Sequence, residues 1–119
     1  MNDKPNLILE KSYAFALKIV RLYKYLTEVK HEFVMSKQML INGTEVGAYV
    51  KSAQEAETRP VFLQEMSIAL RRATRTEYWL QLLSESEFLE EAEFTIVQAD
   101  CTELIRILSS ITKSTRTSM

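Results

Sequence analysis

Turn-forming residues are almost missing from this chain: two glycines and two prolines in 119 residues leave too few hairpin turns for a β-rich fold. Cysteine is rarer still. A lone Cys101 excludes an intramolecular disulfide, and with His31 as the single histidine there is no ligand set for a zinc or iron–sulfur centre. No apolar run approaches the eighteen or more residues of a membrane span. The N-terminus lacks the charged start and apolar core of a secretory signal, so a cytoplasmic protein that does not enter membranes is expected. Charge of one sign is lacking too. Fifteen Lys and Arg face sixteen Asp and Glu, a net charge of −1, which provides no global field to attract nucleic acid or an anionic surface. The length fits one domain over residues 1–119, able to bury about two thirds of the surface of its unfolded form.

What the chain has is sustained helical periodicity. Four segments carry it, at about 7–30, 33–56, 59–83 and 89–112. In the first, Phe15, Ile19, Leu22 and Leu26 form one stripe and Tyr13, Ala16, Val20 and Tyr23 a second beside it, an apolar arc wider than one neighbour needs. The second aligns Met39, Gly43, Val46, Val50 and Ala53. Thr58 suits an N-cap and Pro60 a first turn, so the third helix should begin near Arg59. It then repeats Phe62, Met66, Ala69, Ala73, Thr76, Leu80 and Leu83 as a heptad. The fourth carries Phe94, Val97, Cys101, Leu104, Leu108 and Ile111, with 114–119 expected to fray. The fold class that follows is all-α, an up-down-up-down antiparallel four-helix bundle.

Both glycines fall inside the second helix, four residues apart. A mid-helix glycine costs about 1 kcal/mol relative to alanine, and Gly43 and Gly47 recover it only through close helix contact. Tyr78 and Trp79 point about 100° apart on the third helix, so both cannot face one core. Either one of them meets a neighbouring subunit, or Trp79 lies in the bundle interior and Tyr78 at its rim with its hydroxyl in water.

The charges are unevenly spread. Residues 1–60 hold nine basic and seven acidic groups, residues 61–119 six and nine; from Glu85 to Glu103 there are seven acids and no base. That run reads as a solvated helix face and turn, or as an acidic rim for a basic partner. Arg71, Arg72 and Arg75 share one side of the third helix, and Lys11, Lys18, Arg21 and Lys24 form a basic sector on the first. Arg71, Arg72, Arg75, Lys18 and Arg21 are the candidate nucleic-acid contacts, where repeated weak phosphate contacts would be strongly salt-dependent. The competing reading, which the net charge favours, pairs the arginines with Glu77 and with acids of an adjacent subunit. Glu77, His31 and the acids of the fourth helix lack the paired spacing of an acid–base or metal site. No catalytic or metal-ligating residue, cofactor or small-molecule substrate is therefore assigned, and Cys101 reads as a small buried hydrophobe.

Three segments in order, LINGTEVGAYVKSA at 40–53, FLQEMSIALRRATRTEYWLQLL at 62–83 and DCTELIRILSSITK at 100–113, resemble the small bacterial four-helix-bundle proteins first recognised from reading frames in the intervening sequences of large-subunit ribosomal RNA genes. The resemblance covers nearly the whole chain. It implies a left-handed antiparallel bundle, a homopentamer and no established catalytic role. It also implies kinship with the accessory variability protein of diversity-generating retroelements, a basic pentameric bundle that binds nucleic acid and a reverse transcriptase. The chain departs from the family pattern at Glu45, Tyr49 and Ser52, where Ser, Asn and Glu recur in relatives, and at Val61, where an acid is common. The function expected is that of a non-enzymatic, self-assembling bundle with a structural or interaction role. A nucleic-acid-binding accessory protein, also a homopentamer, is the alternative.

Overall fold

Four helices, α1 (Leu7–Glu28), α2 (Met35–Ala53), α3 (Arg59–Glu85) and α4 (Glu91–Thr117), run up and down in a computed structural model that describes residues 6–119. Among the described residues there is no strand, and no helix is long and apolar enough to cross a membrane. The bundle measures 46 × 24 × 22 Å. Each helix packs on its chain neighbours, and α1 also meets α4, whereas α1 and α3 occupy opposite corners, as do α2 and α4. The α1–α4 seam is the thinnest of the four.

The stripes read from the sequence fill this interior. Phe15, Ile19, Leu22 and Leu26 of α1, Met39, Val46 and Val50 of α2, Met66, Ala69, Ala73, Leu80 and Leu83 of α3, and Val97, Cys101, Leu104 and Leu108 of α4 are all buried. Phe62, Phe94 and Ile111 are half-buried against them. Several polar side chains that intrude satisfy themselves locally, whereas the buried Gln98 Oε1 has no hydrogen-bond partner among the described residues. Thr76, wholly buried, donates its hydroxyl to the Arg72 carbonyl, and Ser12 donates to the Leu9 carbonyl.

The starts of α1 and α3 follow side-chain caps. Asn6 Oδ1 accepts the Leu9 amide at 3.3 Å, and Thr58 Oγ1 accepts the Val61 amide at 3.3 Å, with Pro60 in the first turn. Helix ends depart from the sequence reading by a few residues. With no glycine to mark the stops, His31 (φ 56°) and Glu87 (φ 70°) take the left-handed conformation themselves. The α3 end then closes through Phe88 N–H to the Leu83 carbonyl at 2.9 Å, as a Schellman turn does. At the C-terminus the expected fraying of 114–119 is corrected, because α4 continues to Thr117. Neither glycine nor proline interrupts it, Thr115 and Thr117 return hydroxyl hydrogen bonds to Ile111 and Lys113, and Arg59 donates to Ser118 from the start of α3.

Candidate assembly interface

The two glycines of α2 face α1 and let the two helices come close. A Cβ on Gly43 would lie 2.9 Å from Ile19 Cγ1 and 3.0 Å from its Cγ2; one on Gly47 would lie 3.3 Å from the Ser12 carbonyl oxygen. Gly43 is buried under Ile19, whereas Gly47 is only half-buried. Its missing side chain therefore acts on both sides: inward it admits the α1 backbone, and outward it leaves the surface hollow.

That hollow is a groove of about 630 Å³ along the outer α1–α2 face, lined by Leu9, Tyr13 and Ala16 of α1 and by Thr44, Gly47 and Ala48 of α2, with Glu10 and Lys51 at its rim. Tyr13 is 66% exposed, and Leu17 and Ile41 continue the apolar surface beside it. The width of the α1 arc made Tyr13 and Ala16 legible as surplus. Thr44 and Ala48 were not, since small residues on an amphipathic helix carry no periodic signal of their own. On α3, Trp79 is half-buried against the core and Tyr78 exposed, their rings edge to face with centroids 5.1 Å apart. Val61 faces outward too.

The basic candidates do not form one patch. Arg71, Arg72 and Arg75 belong to α3, Lys18 and Arg21 to α1, and these helices sit at opposite corners. Arg72 pairs with Glu45 of α2 at 2.7 Å and lies over the Tyr49 ring, so its carboxylate partner is Glu45 rather than Glu77. Ser52 donates to Glu65 at 2.6 Å. The three α2 positions that depart from the family pattern thus all face α3, two of them through Arg72. On the α1–α4 seam Lys18 pairs with Asp100 and Lys11 with Glu103, which ties two acids of the 85–103 run to the α1 basic sector. Arg71, Arg75 and Arg21 are exposed, outside the three ion pairs among the described residues.

Glu32 is a structural residue the sequence did not announce. Its buried carboxylate accepts the amides of Val34, Met35 and Ser36 at 3.1, 2.9 and 2.7 Å, occupying the free donors at the α2 N-terminus, where an anion is favoured. Burial pushes its carboxyl up, but these amides and the Ser36 hydroxyl outweigh burial and hold it below the ordinary value. The recoverable signal was an acid three residues ahead of a helix that has no Ser, Thr, Asp or Asn at its boundary.

The remaining candidates are chemically quiet. Burial, with the Glu77 and Asp100 charges adding to it, pushes the Cys101 thiol up to about 12, and its Sγ–H donates to the Ala73 carbonyl at 3.3 Å. Among the described residues no three His, Cys, Asp or Glu side chains converge on a metal-sized site.

Comparison with known proteins places the chain. No curated protein matches it. A protein of unknown function from the S23 ribosomal protein family of Bacteroides thetaiotaomicron, solved by crystallography, is 42% identical and superposes with a TM-score of 0.88, over 89% of this chain and 98% of that one. The family model for the 23S rRNA-intervening sequence protein matches residues 4–110. With the bundle and that match in agreement, the chain belongs to the 23S rRNA-intervening sequence protein family.

Proposed function

We propose that this protein is a non-enzymatic scaffold that assembles with copies of itself, as the pentamer implied by the family resemblance, through the outer α1–α2 face. The observation that carries this reading is the open groove of about 630 Å³ between Tyr13 and Ala48. A soluble chain keeps few contiguous apolar hollows in water unless something covers them, and this one continues through Leu17 and Ile41. Small residues on both walls admit a helix rather than a single side chain. The test is mass in solution. Sedimentation should give a multiple of 13.8 kDa, and Ala48→Glu, at an exposed helical position, should reduce it to the monomer or to a smaller species without loss of helicity. A wild-type mass of one chain, or an Ala48→Glu protein of unchanged mass, refutes the reading.

The second reading, a nucleic-acid accessory protein, rests on Arg71 and Arg75, exposed next to Tyr78 on one α3 surface. It requires binding to structured RNA or duplex DNA that weakens steeply with salt and is lost on Arg71→Glu/Arg75→Glu. Absence of binding at low salt ends it.

A further inference from the structure

The α1–α2 turn holds three large apolar side chains in water: Val29 is 60%, Phe33 59% and Val34 75% exposed. The turn is held in place. His31 fixes the reversal with φ 56°, Glu32 N–H reaches the Leu26 carbonyl at 2.9 Å, and the Glu32 carboxylate clamps three amides of the following segment. A rigid turn that displays apolar side chains is already organised for contact.

Charge identifies what meets it. In an up-down-up-down bundle the α1–α2 and α3–α4 turns lie at the same end, on opposite edges, because α1 and α3 are diagonal. The first edge carries Lys30 and Lys37 beside the apolar residues. The second carries Glu85, Glu87, Glu90, Glu91 and Glu93, all exposed, with no base between 85 and 103. Other ionisable groups near this end are Lys24, Glu28, His31 and Glu32 on the first edge, the last buried with its carboxylate turned onto three amides, and Arg21, which shares a shallow hollow with Glu93. Glu91 and Glu93 also face the α4 N-terminus favourably, but Glu85 and Glu87 have no such role. None of the three ion pairs among the described residues links the two edges.

A face with a basic apolar edge and an acidic edge is complementary to itself. A two-fold axis lying in the end plane lays the first edge of each copy on the second edge of the other, so both contacts form twice, as an isologous interface requires. We infer that two copies of this chain pair end to end through the α1–α2 and α3–α4 turns, with Phe33 and Val34 of each copy covered by the acidic turn of the other. This contact is separate from the α1–α2 groove and does not depend on it. The 24 × 22 Å cross-section offers about 500 Å² per copy, at the low end for specific association. The pairing is therefore weak for single chains, sensitive to salt, and strengthened when several ends act together in one assembly.

The experiment is charge exchange read by sedimentation, up to about 1 mM protomer so that a weak contact registers. One variant carries Lys30→Glu and Lys37→Glu, the other Glu85→Lys, Glu87→Lys and Glu90→Lys; circular dichroism checks that both remain helical. At about 0.1 M salt each variant alone should show half the wild-type mass, because like charges then meet at both edges. An equimolar mixture should recover the full mass, since each edge again meets its opposite. Raising salt to about 1 M, where the Debye length falls to about 3 Å, should weaken wild type and mixture alike, and Phe33→Ser/Val34→Ser should prevent pairing at either salt. Either charge variant keeping the wild-type mass, or a mixture that stays at half mass, overturns the inference, and so does pairing that Phe33→Ser/Val34→Ser leaves intact. Ala48→Glu reports on the groove alone: it should break groove assembly and leave end pairing intact, so the two readings fail separately.

Discussion

Adding one methyl group at Gly43 tests the packing argument at its tightest point. The new Cβ would sit 2.9 Å from Ile19 Cγ1 and 3.0 Å from Cγ2, well inside contact distance. Ile19 has no accessible surface, and a β-branched side chain on a helix has one favoured χ1 rotamer. The clash therefore cannot be relieved by swinging a flexible end; α1 and α2 must separate. Overpacking of this kind costs about 1–3 kcal/mol, and the gain in helix propensity returns about 1 kcal/mol. Gly43→Ala should accordingly lose about 1 kcal/mol, or about 4 °C in Tm for a chain of this size. The decisive measurement is a double-mutant cycle. Ile19→Ala alone should cost about 2–5 kcal/mol, but in that background Gly43→Ala meets a cavity and should stabilise by about 1 kcal/mol, a coupling of about 1–3 kcal/mol between the two positions. Denaturant unfolding followed by circular dichroism, at one fixed protomer concentration because assembly shifts apparent stability, reads all four proteins. A coupling of zero, or a Gly43→Ala protein more stable than wild type, refutes the reasoning.

Gly47→Ala should be close to neutral, because its Cβ would meet the Ser12 carbonyl at 3.3 Å and the propensity gain of about 1 kcal/mol offsets that squeeze; unfolding midpoints measured beside those of Gly43→Ala check it. Glu32→Ala should cost about 1–2 kcal/mol as a lost N-terminal cap. Since the folded-state carboxyl lies below its ordinary value of 4.5, this contribution is complete above pH 4.5 and disappears as pH falls through the folded value. Stability profiles of wild type and Glu32→Ala should thus converge in acid, and a constant gap down to pH 2 would contradict the assignment. Cys101 should resist iodoacetamide in the native protein near neutral pH and react on unfolding, because burial pushes its thiol up to about 12 and only the thiolate is nucleophilic; rapid labelling of the folded chain would show that the site opens.

The architecture was legible because apolar periodicity and packing share a cause. Met66, Ala69, Ala73, Leu80 and Leu83 recur at heptad spacing, and the fold buries all five. The start of α3 was legible for a different reason: Thr58 and Pro60 act locally, within one turn of chain. The other helix limits were less so, because His31 and Glu87 adopt a conformation for which sequence reading looks to glycine. Among candidate surfaces, Tyr13 and Ala16 stood out as apolar residues in excess of one neighbour's needs. The ion-pair partner of Arg72 did not. Glu45 lies 27 residues away on another helix, and only the α2–α3 register brings the two together. The acidic edge of the end face was likewise visible as a run, but Lys30 and Lys37 form no run of their own, and the opposition of the two edges across one face is a property of topology.

The four sides of this bundle are closed unequally, and that inequality fixes how the molecule comes apart. Where the first helix meets the last, a thin line of contact is bridged by two partly exposed ion pairs, Lys11–Glu103 and Lys18–Asp100, each worth at most about 1 kcal/mol in water. Elsewhere α1 is anchored to α2 by the glycine-mediated approach. The chain is built like a book with three bound joints and one lightly clasped edge, so local opening is expected to begin at the clasp, with α4 leaving α1 while the inner pages stay joined.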